Sequence, residues 1–168
     1  AKRSATWTDR QDNEHELYIA DLAVGRLVET PAEIGAFIDS YMAGDGRIDA
    51  KTGKALVTGY DFVQDSAGTI ASLFQSDQVA TDSTLVAAQW GGAALQSKYL
   101  AANPRFDVFS ANGHSTHVGM GAPDNADLTA AAVVGASANL AGALVFSVGC
   151  HGGLNDPGIL DLPEAFLS

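Results

Sequence analysis

Two residues able to do covalent and proton-transfer chemistry stand at matching places in this chain. Cys150, the only cysteine, follows the run Ala143-Leu-Val-Phe-Ser-Val-Gly149 and is itself followed by His151, Gly152 and Gly153. His114 follows a second run of the same form, Phe106-Asp-Val-Phe-Ser-Ala-Asn-Gly113. A base set beside a thiol is the arrangement that nucleophilic catalysis needs. A cysteine by itself is more often a small buried hydrophobe. Such cysteines sit inside apolar runs, however, whereas Cys150 and His114 both close one and are flanked by glycine.

The elements that must position this pair follow from the pattern around it. The run bounded by Gly142 and Gly149 reads as a buried strand of a parallel sheet. In open α/β sheets the carboxyl ends of the strands are where ligands bind. The interval from His114 to Cys150 fits one right-handed crossover between adjacent parallel strands.

Upstream, residues 1–16 are polar and read as a surface segment, and Leu17–Val28 as a short strand or extended passage ending at Gly25-Arg26. Thr30-Pro31-Ala32-Glu33 combines an N-cap, a proline at the first helical position and a glutamate three residues on, which is a capping box. Ile34, Phe37, Ile38, Tyr41 and Met42 follow at helical spacing and predict one inward face, with Gly44 as the stop. Asp45–Asp49 resembles the middle of a calcium loop. With Gly46 in the glycine position, though, Tyr41, Ala43 and Thr52 fall where oxygen ligands are required, so the segment reads as a turn.

Lys54–Gly59 reads as a short buried strand, Tyr60–Gly68 as its acidic exit loop, and Thr69–Phe74 as the start of a helix. Gly92–Ala102 forms a second helical stretch stopped by Asn103-Pro104. Leu128–Asn139 is alanine-rich and helical in pattern, against the grain of Val133, Val134 and Gly135. Leu160–Leu167 opens a last helix. Strands alternating with helices imply an α/β fold with a parallel sheet covered on both faces.

The bulk properties narrow the function. At 168 residues the chain suits one domain with a real core. A net charge of −11 argues against nucleic acid and anionic membrane as partners, and no apolar run reaches the roughly 18 residues of a membrane span. A single cysteine excludes an internal disulfide and leaves the compartment open.

Taken in order, the motifs resemble the gingipain-type cysteine peptidases of the caspase-like clan. Asp21–Glu33 is similar to that family's stretch of aliphatic residues around Gly-Arg before a helix opening in Ala-Glu. Ala55–Asp61 is similar to its strand before the acidic specificity loop, and Val108–His114 to the strand leading to the catalytic histidine. Val145–Cys150 is similar to the strand leading to the nucleophile, and Leu162–Leu167 to the helix after it. The resemblance implies a caspase-like three-layer fold with a mainly parallel sheet and helices on both faces, truncated at one or both ends. The chain begins after the family's opening strand and helix and stops before strands that in relatives build part of the specificity pocket.

The resemblance also implies roles. Cys150 would attack the scissile carbonyl and His114 would protonate the leaving amine. The backbone N–H groups of Ser115 and Cys150 would form the oxyanion hole. Ser115 stands where the family has glycine. Asp61 would orient the histidine, and Asp65 would select Arg or Lys before the scissile bond. His151 reads as a wall of the substrate pocket. A zinc site built from His114, His117, His151 and Cys150 is disfavoured by the single thiol and by two histidines in one loop.

No cofactor is implied. Asp-rich loops are compatible with calcium but locate no site. The partner is a peptide or protein substrate, with missing flanking elements or a partner chain required for activity in a truncated form. Location in the secreted or cell-envelope fraction of a bacterium follows from the resemblance alone. The competing expectation is a catalytically inactive caspase-like module serving in binding or assembly. A third is a thiol hydrolase acting on small esters.

Overall fold

The computed structural model describes residues 3–8, 14–19, 30–46 and 53–167. The segment Asp21–Val28, which carries part of the family resemblance, lies outside the described residues. In chain order the elements are β1 (Arg3–Thr8), β2 (Glu14–Ile19), α1 (Pro31–Ala43), β3 (Lys54–Gly59), a 3-10 turn (Asp61–Val63), α2 (Gln64–Ser76), β4 (Ala80–Val86), α3 (Gly92–Tyr99), β5 (Val108–Asn112), β6 (Ser115–Thr116), β7 (Gly119–Met120), β8 (Leu128–Thr129), α4 (Ala130–Val134), α5 (Ser137–Leu140), β9 (Leu144–Val148) and α6 (Leu162–Leu167).

The central sheet has four parallel strands in the order β4-β3-β5-β9. The two strands singled out by their histidine and cysteine are therefore neighbours, registered from Val108 opposite Leu144 to Asn112 opposite Val148. Successive residues of β3 show how the sheet is covered. Leu56 joins the large core with Phe109, Leu95, Tyr99, Leu128, Val133 and Leu162. Val57 faces the other way, against Ala67 and Ala71 of α2. This is strand periodicity with helices on both faces. Gly59 allows α2 to lie this close, because a Cβ there would come within 2.2 Å of Ala67 Cβ.

The capping box forms as the sequence predicts. Thr30 N–H donates to Glu33 Oε2 at 2.7 Å, and Glu33 N–H reaches back to Thr30 Oγ1 at 3.4 Å. The helix stops in a left-handed turn at Asp45 (φ 55°) and Gly46 (φ 65°), whose N–H groups donate to Met42 O and Tyr41 O. Its apolar face is not packed inward as its spacing predicts. Phe37, Ile38, Tyr41 and Met42 are exposed among the described residues. Spacing fixes which residues share a face but not what that face meets.

Four other expectations change, and one strand appears that the pattern did not mark. Within the polar segment 1–16, β1 forms and pairs antiparallel with β2, Trp7 opposite His15. The acidic loop Tyr60–Gly68 is a short 3-10 turn, Asp61–Val63, followed directly by the start of α2 at Gln64, with Asp61 at φ 54° making the sharp exit from β3. Strand β4 escapes the pattern because its sequence is polar. It lies at the sheet edge, where Asp82 Oδ1 accepts from Thr84 N–H and Oγ at the register shift. The alanine-rich helix is broken at Gly135 into α4 and α5. Finally, among the described residues the cysteine strand is an edge strand and not a buried one, with Leu144, Phe146 and Val148 all exposed.

Candidate active site

The sheet order turns around between β3 and β5: the chain moves outward from β3 to β4, then crosses back to β5 and on to β9. Crevices in open α/β sheets form at the carboxyl ends of the strands on either side of such a switch point. Here β3 delivers Asp61 and β5 delivers His114, and His114 Nε2 lies 3.1 Å from Asp61 Oδ2. The imidazole is flanked by the rings of Tyr60 and Phe62, with centroids at 5.7 Å and 5.5 Å. The side chains of His114 and Asp61 are 57% and 62% exposed. A pair this open contributes at most about 1 kcal/mol to folding, so its consequence is orientation. With Nε2–H donating to it, the carboxylate would hold the ring in the neutral tautomer that leaves Nδ1 as the acceptor.

Cys150 stands one residue beyond Gly149 at the end of β9, its thiol free and exposed. The loops bearing histidine and cysteine are clipped together, because Ser115 Oγ donates to the Cys150 carbonyl at 3.1 Å. Ser115 has room only because its neighbours are glycines. A Cβ at Gly149 would lie 1.9 Å from Ser115 Oγ, and one at Gly152 would lie 2.8 Å from it. Ser115 thus takes up space that two glycines leave, and it turns that space into a link between the two loops.

Two residues that sequence reasoning passed over hold the site from below. Asn112, two residues before His114 and buried, donates its amide to Thr58 O at 2.8 Å and to Ser110 O and Oγ. It thereby ties β5 to β3 directly beneath the Asp61–His114 pair. Asp161 is fully buried and accepts from Asp156 N–H, Asn155 Nδ2 and Glu164 N–H. It caps α6 and closes the loop that begins at Cys150, while Leu162 N–H donates to His117 O at 2.6 Å. The signal for Asp161 was present: Asp-Leu-Pro-Glu has the form of an N-cap, a proline in the first turn and a glutamate at N3.

Asp65 lies in the first turn of α2, exposed, and is not among the residues lining the cleft beside His114. His151 occupies the turn after Cys150 at φ 60° and is exposed. His117 lies between β6 and β7, and among the described residues no cluster of three or more His, Cys, Asp or Glu gathers in ligand geometry.

On the β3–β4 side of His114 the surface opens into a cleft of about 720 Å³, lined among others by Tyr60, Asp61, Gln64, Gln89, His114 and Asp127. Burial raises the Tyr60 phenol above its ordinary range. A backbone hydrogen bond at His114 works against this, and the carboxylates of Asp127 and Asp61 add to it. No family model matches the chain, and no curated protein matches it.

Proposed function

We propose that this chain is a cysteine-type endopeptidase of the gingipain-like, caspase-like kind, with Cys150 and His114 as the dyad and Asp61 orienting the histidine. The observation that supports it most is the Asp61–His114 pair at 3.1 Å on the switch-point edge of the sheet, next to the loop of the only thiol.

In this reading the Cys150 proton passes to His114 and the sulfur forms a bond to the scissile carbonyl carbon. The oxyanion is met by the backbone N–H groups of Ser115 and Cys150. As the C–N bond breaks, His114 gives its proton to the leaving amine. Water, deprotonated by His114, then attacks the thioester, and the C–S bond breaks to restore the thiol and release the acid. Cleavage after Arg or Lys rests on the resemblance.

The test is selective alkylation. A thiol-directed probe should label Cys150 in the wild type, and the rate should fall at least about tenfold in His114→Ala. Equal labelling in the two proteins rejects the dyad. A second reading, a non-catalytic caspase-like module for binding or assembly, is favoured by the exposed apolar side of β9. Peptide turnover that disappears in Cys150→Ala rejects that one.

A further inference from the structure

The cleft beside His114 has a direction that the chemistry can read. Along the carboxyl edge of the sheet the order is β4 with Ala88 and Gln89, β3 with Tyr60 and Asp61, β5 with His114, then β9 with Cys150. By strand order, Cys150 and the part of the cleft built from β3 and β4 fall on opposite sides of His114, while the loop from Gly121 to Asp127 closes the cleft. If sulfur attacks from one side and the imidazole protonates the departing nitrogen on the other, the chain attached to that nitrogen continues toward the cleft. Resting on the peptidase reading above, we propose that this cleft is the subsite for the leaving-group side of the substrate and that it takes a basic side chain there.

The cleft is shaped and charged for such a group. Its volume of about 720 Å³ accommodates one or two side chains. Tyr60 supplies an aromatic wall, Gln64, Gln89 and Asn125 supply polar amides, and Asp61 and Asp127 supply the charge, with no Lys or Arg among the lining residues. Asp61 is already engaged with His114. The Asp127 carboxylate has no hydrogen bond or ion pair to any described residue. It lies against Gly119 and Gly121, where Cβ atoms would come within 3.2 Å and 3.6 Å of its oxygens. Asp127 is exposed and lines the cleft together with Tyr60, whose phenol its charge helps to raise. A guanidinium or ammonium stacked on Tyr60 would meet the Asp127 carboxylate and leave Asp61 to His114.

The experiment uses synthetic peptides whose residues before the scissile bond are held at the best-cleaved sequence, while the two residues after it are both Lys, both Ala or both Glu. The readout is the ratio of kcat/KM for the Lys and Glu peptides within each protein, so absolute activity does not enter. Wild type should favour Lys roughly fivefold or more, and the ratio should shrink toward one as salt rises. Asp127→Lys should invert it, and Asp127→Asn should flatten it if the charge reversal folds poorly. Asp77→Lys makes the same charge change just past the far end of α2 and should leave the ratio near the wild-type value. A wild-type ratio near one, or a ratio that moves equally in Asp77→Lys and Asp127→Lys, overturns the subsite while the peptidase stands. Failure of the folded protein to cleave any peptide overturns both.

Discussion

On the proposed peptidase reading, the Asp61–His114 pair would separate catalysis from stability at the level of single residues. Both side chains are more than half exposed, so Asp61→Asn should change the unfolding free energy by less than about 1 kcal/mol. It should nevertheless lower kcat by roughly ten- to a hundredfold, because the ring loses the acceptor that fixes its tautomer and plane. Urea unfolding and steady-state kinetics on the same preparation check the split. A variant that loses stability and activity in proportion would make Asp61 a structural residue only. Ser115 and Gly149 form a second, coupled pair. Gly149→Ala places a Cβ onto the Ser115 hydroxyl and should cost about 1–3 kcal/mol with loss of activity. Adding Ser115→Gly removes the obstructing atoms and should recover most of both. The placement of His114 and Cys150 after neighbouring parallel strands was legible in the sequence because each ends an apolar run and meets glycine. Ser115 was legible as a departure from pattern, but the space it fills belongs to residues far along the chain and is visible only in three dimensions.

Some elements follow local rules, while others follow their surroundings. The helix after Thr30 and the one after Asp161 are written in capping residues, and both form where those residues stand. Strand β4 carries no such mark: its polar sequence is that of an edge, and its Asp82 pairs with Lys98 of α3. The exit from β3 was misread as a loop because two acids and Gly68 mask a helix whose buried side is only Ala67 and Ala71. Asp161 gives the sharpest prediction here. Asp161→Ala leaves three donors without their buried acceptor, and it should cost about 2–3 kcal/mol and lower Tm by roughly 5–10 °C. Calorimetry measures this, and a loss below about 1 kcal/mol would mean the loop after Cys150 holds itself. Asp82 gives a pH prediction. Burial pushes its carboxyl up, but the Lys98 and Thr84 hydrogen bonds outweigh this and set it below the ordinary carboxylate range. The folded pKa is then lower than the unfolded one. Its contribution is fully present above the unfolded value and is lost as pH falls through the folded value. Asp82→Asn should therefore flatten the acid limb of the stability curve in urea titrations from neutral to strongly acid pH.

Taken whole, the molecule is built asymmetrically about its sheet, and that asymmetry accounts for what sequence could not foresee. One face, with Leu56 and Phe109, is sealed by α3, α4, α5 and α6 into the main core. The other is sealed by α2 over β3 and β4, but on β9 it presents Leu144, Phe146 and Val148 to solvent among the described residues. An apolar run looks the same whether its strand is central or at an edge, so Ala143–Val148 read as buried. The two phenylalanines of adjacent strands make the contrast measurable. Phe109, 1% exposed, packs against Tyr99 and Phe106 at ring separations of 4.7 Å and 5.9 Å. Phe109→Ala should cost about 3–5 kcal/mol. Phe146, 54% exposed on the next strand, should cost less than about 0.5 kcal/mol when changed to Ala. Chemical denaturation of the two variants tests both at once. A large loss in Phe146→Ala at low protein concentration would show that β9 is covered within the chain. A loss that appears only as concentration rises would show that another copy covers it, which would give the assembly reading its first direct support.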